Sequence, residues 1–139
     1  MNSNHYFVWE SEVRDNEIDF QGIVNNANYF VYMAHARHKH LKILGVDILA
    51  MHRGGFDLVL VHTEMDFKGS LRGGDEFIVT SKIEPTGRVR LVFVQQVIRK
   101  QDQKIMIEAK NMGVCLARST GRPIVPDELK PIFNLQSSV

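Results

Sequence analysis

The sequence predicts an α+β fold in which an antiparallel sheet of five strands wraps around one long central helix. Apolar residues recur at helical spacing over residues 26–44, and apolar runs before and after this stretch have the pattern of strands. Short turns join the last four runs, which indicates antiparallel pairing. Nothing else in the 139-residue chain could cover the helix or the sheet, so they must pack together. We expect residues 1–139 to form a single domain.

The first strand is predicted at residues 5–13 and is followed by a loop at residues 14–22. Asn25 or Asn26 can cap the helix, and Gly45 stands where a helix-ending glycine belongs. The expected apolar positions of the helix form two adjacent faces and therefore a wide arc: Phe30, Met33, Ala34, Leu41 and Leu44, with Tyr29, Tyr32, Ala36 and Ile43 beside them. A helix that is apolar over so wide an arc is expected to be largely enclosed.

The later strands are predicted at residues 56–67, 77–83, 89–99 and 105–117. The first of these has apolar residues at both odd and even positions, which predicts a strand buried on both sides. Turns are expected at residues 71–75, 101–103 and 119–123, and a short helix near residues 126–129.

Composition excludes several classes of function. The formal net charge is +1, which gives no basis for binding nucleic acid or an anionic membrane. Cys115 is the only cysteine, so no disulfide can form within the chain. No apolar run approaches the roughly 20 residues that cross a bilayer, and the start of the chain has no signal-like core. We expect a cytoplasmic protein that needs no cofactor and no metal.

The segment from residue 13 to residue 29 resembles the signature of the 4-hydroxybenzoyl-CoA thioesterase family, whose members have the hotdog fold. The matching positions are Glu17, Asp19, Gly22, Val24 and Tyr29. The run from Asn25 to Tyr29, followed by His35-Ala36-Arg37-His38, is most similar to the branch that includes plant plastid acyl-lipid thioesterases. The resemblance implies hydrolysis of an acyl-CoA or acyl-carrier-protein thioester by a homo-oligomer, either a dimer or a dimer of dimers forming a homotetramer.

The resemblance also implies roles for individual residues. Asp19 is the expected catalytic carboxylate, acting either as a base on water or as a nucleophile. The backbone N–H groups at the helix start, and that of Asn26 above all, are expected to hold the oxyanion, because helix starts carry unpaired donors. From the residues alone, Asp19 and the asparagines could equally be helix caps.

Further residues are candidates for contact with substrate. Gly22 and Tyr29 belong to the signature, Asn28 lies between them at the helix start, and His62 and Thr63 lie on a strand that borders the site in hotdog proteins. Cationic side chains suited to the phosphates of CoA, or to an acidic carrier protein, are Arg88, Arg90 and Arg118.

Other interpretations stay open at this stage. Asp15 and Glu17 are expected to be solvated acids rather than groups that tune Asp19. The histidines at 35, 38 and 40 do not have the spacing of a metal site, and Arg37 interrupts the apolar stripe, so it should have a buried or interfacial partner. The alternative functions are a non-catalytic module that binds an acyl chain or its carrier protein, and a dehydratase or hydratase of the same fold.

Overall fold

The computed structural model describes the backbone of residues 6–137 and the side chains of residues 6–134. Its helices are α1 (Asn26–Ile43), α2 (Ile48–Arg53) and α3 (Lys130–Ser137), with short 3-10 helices at Asp15–Glu17 and Asp127–Leu129. Its strands are β1 (Tyr6–Glu12), β2 (Phe56–Phe67), β3 (Glu76–Thr86), β4 (Arg90–Arg99), β5 (Lys104–Ala117) and β6 (Arg122–Pro123). Among these residues no helix is both long and apolar enough to span a membrane.

The strands form one antiparallel sheet in the order β1-β3-β4-β5-β2, with the two-residue β6 paired to β5. Helix α1 packs on the concave face of this curled sheet. The predicted hotdog arrangement of five strands around one helix is confirmed, and β6 is a short addition to it.

The predicted capping residue and terminal glycine of α1 are confirmed. The side chain of Asn25 accepts a hydrogen bond from the Ala27 N–H at 2.9 Å, and Gly45 has φ +86°, the left-handed conformation of a helix-ending glycine. The buried face consists of Tyr29, Tyr32, Met33, Ala36, His40 and Leu41. The predicted burial of Phe30 and Ile43 is wrong, because both lie on the outer side of the helix, which the described part of the chain does not cover.

Strand β2 was predicted to be buried on both sides, and this is wrong because β2 is an edge strand. A bulge lies between Leu60 and His62 and reverses which residues face the helix. Leu58 packs in the core before the bulge and Met65 packs in it afterwards, so apolar residues of both parities face inwards. The outer edge of β2 keeps Val61 and Phe67 about half exposed, at 53% and 51%.

The candidate residues lie at two opposite ends of the helix and sheet, which are called the Asp19 end and the Arg90 end. At the Asp19 end, the start of α1 packs near Phe67 of β2 and the start of β3. At the Arg90 end, the last turns of α1 pack near the start of β2 and the β3–β4 turn. Because β3 has 11 residues and a strand rises about 3.3 Å per residue, the two ends are about 33 Å apart.

Candidate active site

Asp19 lies in a tight turn that leads into α1. Its backbone N–H donates to the Ile23 carbonyl at 2.9 Å, and its carbonyl accepts from the Gly22 N–H at 3.0 Å. Gly22 has φ +81°, as predicted from its place in the turn, and only glycine adopts this conformation without strain. The Gln21 N–H donates to Asp19 Oδ1 at 2.8 Å. Among the described residues Asp19 Oδ2 has no partner, so one oxygen of this half-buried carboxylate is available for chemistry.

Of the backbone N–H groups at the helix start, only one lacks an acceptor in the described part of the chain. The Asn25 N–H donates to the Glu17 carbonyl at 3.1 Å, and the Asn28 N–H donates to the Asn25 carbonyl at 2.9 Å. The Ala27 N–H is taken by the side chain of Asn25. The Asn26 N–H remains, exposed at the positive end of the helix dipole, where a negatively charged oxygen is favoured.

Glu17 joins the Asp19 turn to the helix, so the interpretation of this acid as a solvated surface group is wrong. Its carbonyl accepts from the side chain of Asn28 at 2.8 Å, and Oε1 accepts from the Tyr32 hydroxyl at 2.9 Å. Glu17 Oε1 also accepts from the Arg14 N–H at 2.9 Å. Burial, followed by the hydrogen bond to Glu17, raises the pKa of Tyr32. The hydroxyl therefore stays protonated at neutral pH and donates to the carboxylate.

The structure assigns packing rather than substrate contact to one predicted residue. Tyr29 is only 1% exposed, and its hydroxyl accepts the Leu71 N–H at 2.9 Å. Burial raises its pKa. The core encloses the Tyr29 side chain, which contradicts the expectation that it contacts substrate. Asn28 keeps its place beside the turn, but its amide is used to hold Glu17.

His62 and Thr63 face opposite sides of β2, because adjacent residues of a strand alternate. Thr63 is on the helix side and donates to Asn111 Oδ1 at 2.5 Å. His62 is on the outer side, where its Nε2 lies 3.3 Å from Glu64 Oε2. The two side chains therefore face different sides of the strand, and contact of either with substrate stays a prediction.

The predicted phosphate-binding arginines lie at the Arg90 end. Arg88 and Arg90 are exposed in and after the β3–β4 turn, and Arg118 follows the end of β5. Arg118 donates to Asp57 Oδ2 at 3.0 Å and to the His52 carbonyl at 2.6 Å, so part of its guanidinium is occupied. Within one chain these arginines lie at the opposite end of the fold from Asp19, about the length of β3 away, so a single chain does not bring them together.

A cleft of about 740 Å³ lies at the Arg90 end. Its walls are apolar at Val46, Ile48, Leu49 and Leu58, basic at His38, Lys42 and His52, and acidic at Asp47 and Asp57. Burial, with Arg37 and His35 nearby, lowers the pKa of His38, so its imidazole is favoured in the neutral form. A second pocket, of about 380 Å³, lies beside Glu17, Tyr32 and His35. The cleft could accommodate a large apolar group, but the Asp19 turn of its own chain does not line it.

Sequence reasoning missed a polar network on the helix side of the sheet. Gln95 and Asn111 are buried, and Asn111 Nδ2 donates to Gln95 Oε1 at 2.8 Å. The same oxygen accepts from Arg37 Nη1 at 3.0 Å, and Gln95 Nε2 donates to the Met33 carbonyl at 3.1 Å. The one signal in the sequence was Arg37, whose predicted need for a buried partner is confirmed. The described residues contain no cluster of three or more His, Cys, Asp or Glu side chains able to hold a metal ion.

The curled sheet around one helix, with a carboxylate turn at the helix start, defines a hotdog protein of the thioesterase type. The profile of the thioesterase-like superfamily matches residues 13–133, and the chain belongs to that superfamily. A chloroplastic acyl-acyl carrier protein thioesterase of Arabidopsis thaliana is 34% identical over 125 residues, which is 89% of this chain and 65% of the plant protein. The chain thus spans just under two thirds of that relative.

Solved structures agree on the fold. A 1,4-dihydroxy-2-naphthoyl-CoA thioesterase from Synechocystis superposes with a TM-score of 0.85 at 20% identity, covering 90% of this chain and 93% of that one. A Staphylococcus aureus protein in complex with CoA also gives a TM-score of 0.85, at 17% identity, covering 96% of this chain and 84% of that one. At these identities the likeness establishes the architecture alone.

Proposed function

We propose that this protein is a thioesterase that hydrolyses acyl-CoA or acyl-carrier-protein thioesters, with Asp19 as the catalytic carboxylate and the Asn26 N–H as the oxyanion donor. One observation carries the proposal: the Asp19 turn is fixed to a helix start at which the Asn26 N–H has no acceptor among the described residues. The superfamily membership and the plant relative support the reaction class.

The geometry suits attack on a thioester carbonyl. In one route, Asp19 takes a proton from water while the water oxygen bonds to the carbonyl carbon. In the other route, the carboxylate itself attacks and gives a mixed anhydride that water then cleaves. In both routes the Asn26 N–H donates to the developing oxyanion, and the carbon–sulfur bond breaks to release a thiolate that takes up a proton. Single turnover in H₂¹⁸O tests for the anhydride route, because label enters Asp19 only when water cleaves an anhydride at the Asp19 carbonyl carbon.

A complete site requires a second copy of the chain in this proposal. No strand within residues 6–137 pairs with the outer edge of β2, which carries Val61 and Phe67, and Phe20, next to Asp19, is 98% exposed. Such apolar exposure along an open edge is typical of a surface that a partner covers. When two β2 strands pair antiparallel, the Asp19 end of one copy lies beside the Arg90 end of the other.

This dimer brings together what a single chain separates. The cleft and the arginines of one copy then face the Asp19 turn and the helix start of the other copy. Arg88 and Arg90 can meet the phosphates of CoA or an acidic carrier protein there. Association of two such dimers into a tetramer stays a prediction.

The decisive experiment compares Asp19→Asn with Asp15→Asn on a panel of acyl-CoA and acyl-carrier-protein thioesters. We expect Asp19→Asn to lower kcat by about 10²- to 10⁴-fold, the range supplied by a general base. Asp15 is an exposed acid of the neighbouring 3-10 helix, so its variant should stay within about twofold of the parent.

Full activity of Asp19→Asn would sink the assignment. Tight binding of acyl-CoA without turnover by the parent protein would instead favour the non-catalytic binding module. Sedimentation analysis checks the assembly, and an active monomer would contradict the shared site.

A further inference from the structure

The pocket of about 380 Å³, termed the β1 pocket, lies between β1 and α1, and its walls include Trp9, Glu12, Arg14, Tyr32 and His35. Strands β1 and β2 are opposite edges of the sheet, so the β1 pocket is at the other edge from the one that pairs in the proposed dimer. Asp19 does not line it, and it shares no residue with the 740 Å³ cleft. Small-molecule sites in proteins have volumes of about 300–1,000 Å³, so the β1 pocket is large enough for a ligand of its own.

The inner wall of the β1 pocket is aromatic. The ring centre of Trp9 lies 6.3 Å from that of Tyr32 and 5.9 Å from that of Phe77, so contacts with the core fix the indole. The ring centre of His35 lies 4.5 Å from Trp9 on the helix side. Burial, followed by the charge of Lys39, lowers the pKa of His35, so its imidazole is favoured in the neutral form. A wall of fixed, uncharged rings suits an aromatic group, because aromatic pairs gain energy beyond the area that they bury.

Two side chains of the β1 pocket carry opposite charges that remain available. Glu12 is exposed, and none of the ion pairs among residues 6–134 includes it. The guanidinium of Arg14 lies 3.3 Å from Glu17 and is 64% exposed, and its five N–H donors are mostly unused by this contact. Glu17 itself is occupied, because it also accepts from the Tyr32 hydroxyl at 2.9 Å. The pocket thus presents one free carboxylate and one guanidinium with free donors.

The charge of Glu12 is unfavourable for the sheet by itself. Glu12 directly opposes Glu76 of β3, and like charges in this arrangement are destabilising. Lys100 pairs with Glu10 and lies near Glu76, but this ion pair does not extend to Glu12. An acid can protect an edge strand from pairing with another sheet, yet Glu10 already supplies such a charge on β1. An ammonium group bound at Glu12 would relieve the repulsion.

We propose that the β1 pocket binds a free α-amino acid with an aromatic side chain. The ring lies against Trp9, the ammonium group meets Glu12 and the carboxylate meets Arg14. A zwitterion uses both charges of the pocket, whereas an amine alone or a carboxylic acid alone leaves one of them without a partner. The site is separate from the Asp19 turn, and its ligand is not a reactant in the proposed hydrolysis.

The test measures the binding of four probes to the parent protein by calorimetry. L-Phenylalanine carries all three groups, phenethylamine lacks the carboxylate, 3-phenylpropionate lacks the ammonium group and L-alanine lacks the ring. We expect L-phenylalanine to bind about 5- to 10-fold more tightly than phenethylamine or 3-phenylpropionate, the low end for a hydrogen bond between charged groups, because both side chains are exposed. L-Alanine should also bind more weakly, since it makes no contact with the aromatic wall. Trp9 is the only tryptophan of the chain, so a saturable change in its fluorescence locates the bound ring.

Two variants assign the charges. Glu12→Gln should remove the preference for L-phenylalanine over 3-phenylpropionate, because the two probes differ in the ammonium group. Arg14→Met should remove the preference for L-phenylalanine over phenethylamine, which lacks the carboxylate. The matched controls are Glu128→Gln and Arg53→Met, whose side chains are exposed, lie outside the pocket and are in none of the ion pairs of the described residues. Both preferences should stay within about twofold of the parent in these controls.

Equal affinities for L-phenylalanine, phenethylamine and 3-phenylpropionate would overturn the proposal, as would the absence of saturable binding at millimolar concentrations. Unchanged preferences in Glu12→Gln and Arg14→Met would do the same. If Arg14→Met is unfolded by circular dichroism, Glu12→Gln alone decides, and an unchanged preference in that variant is sufficient to overturn the proposal.

A second copy of the chain is the competing occupant of the β1 pocket. In that case acrylamide would quench the fluorescence of Trp9 only after dilution had dissociated the assembly, and this result also overturns the proposal. Binding is measured without a thioester, so the outcome does not depend on whether the proposed hydrolysis is correct.

Discussion

The hydrogen bond from Tyr32 to Glu17 should hold the Asp19 turn in place, and Tyr32→Phe tests this directly. The substitution removes one hydroxyl and keeps the ring, which packs against Trp9 and Phe77. The lost bond is 2.9 Å long and is made to a carboxylate that is 12% exposed. The packing of the core is thus preserved, and the change isolates the contact between α1 and the turn.

A hydrogen bond to a charged group contributes about 1.5–3 kcal/mol to stability. The lower end applies here, because Glu17 keeps the backbone N–H of Arg14 at 2.9 Å and its guanidinium at 3.3 Å. We therefore expect Tyr32→Phe to lower the free energy of unfolding by about 1.5–2 kcal/mol. A loosened turn should also lower kcat while leaving KM nearly unchanged, because the proposed catalytic carboxylate of Asp19 would move away from the thioester carbonyl while the cleft stays unaltered.

The assay is a double-mutant cycle of Tyr32→Phe, Glu17→Gln and the combined variant, with stability taken from urea unfolding. The two residues should show a coupling energy of at least about 1 kcal/mol, since each single variant already removes the charged hydrogen bond. Additive effects on stability, or a normal kcat in Tyr32→Phe, would refute the reasoning.

Three further predictions follow from local geometry. Gly22→Ala should lower the free energy of unfolding by about 1–2 kcal/mol, because a non-glycine residue is strained at φ +81°. Nothing lies within 4 Å of an added Cβ, so no steric clash contributes. An unchanged urea unfolding curve would contradict this prediction. Burial raises the pKa of Cys115 to about 11, so a thiol reagent at pH 8 should modify it only after unfolding, and rapid labelling of the native protein would be the contrary result. Burial also raises the pKa of Tyr29 and of Tyr32 above the usual 10.0, so their contribution to stability is complete below pH 10 and falls as pH rises further. The free energy of unfolding, measured from pH 8 to pH 11, should decrease less in Tyr32→Phe than in the parent protein.

The turn and the ends of α1 could be predicted because local forces determine them. A left-handed backbone selects glycine at positions 22 and 45, and Asn25 caps the helix within two residues of itself. The burial of Tyr32 and Met33 followed from helical spacing. The role of Glu17 did not, because its tie to Tyr32 joins residues 15 positions apart and requires the turn to fold back on the helix.

The position of β2 in the sheet could not be predicted, for a physical reason. Apolar residues at both parities can mean burial on two sides, or a bulge that changes the inward parity along an edge strand. The bulge before His62 brings Leu58 and Met65 to the same face of β2. A partner that covers the edge in a dimer would select the same apolar composition as a neighbouring strand, so a single sequence does not separate the two cases.

The network of Arg37, Gln95 and Asn111 depends on strand register, which no short motif encodes. In strands whose polar and apolar residues alternate, glutamine and asparagine ordinarily face solvent. In the neighbouring strands β4 and β5, however, the amides of Gln95 and Asn111 are buried on the helix side. In the proposed dimer, the two copies pair along β2, and the Asp19 turn of one copy then lies beside the cleft of the other. Assembly and access of the Asp19 turn to a cleft would therefore depend on the same edge strand.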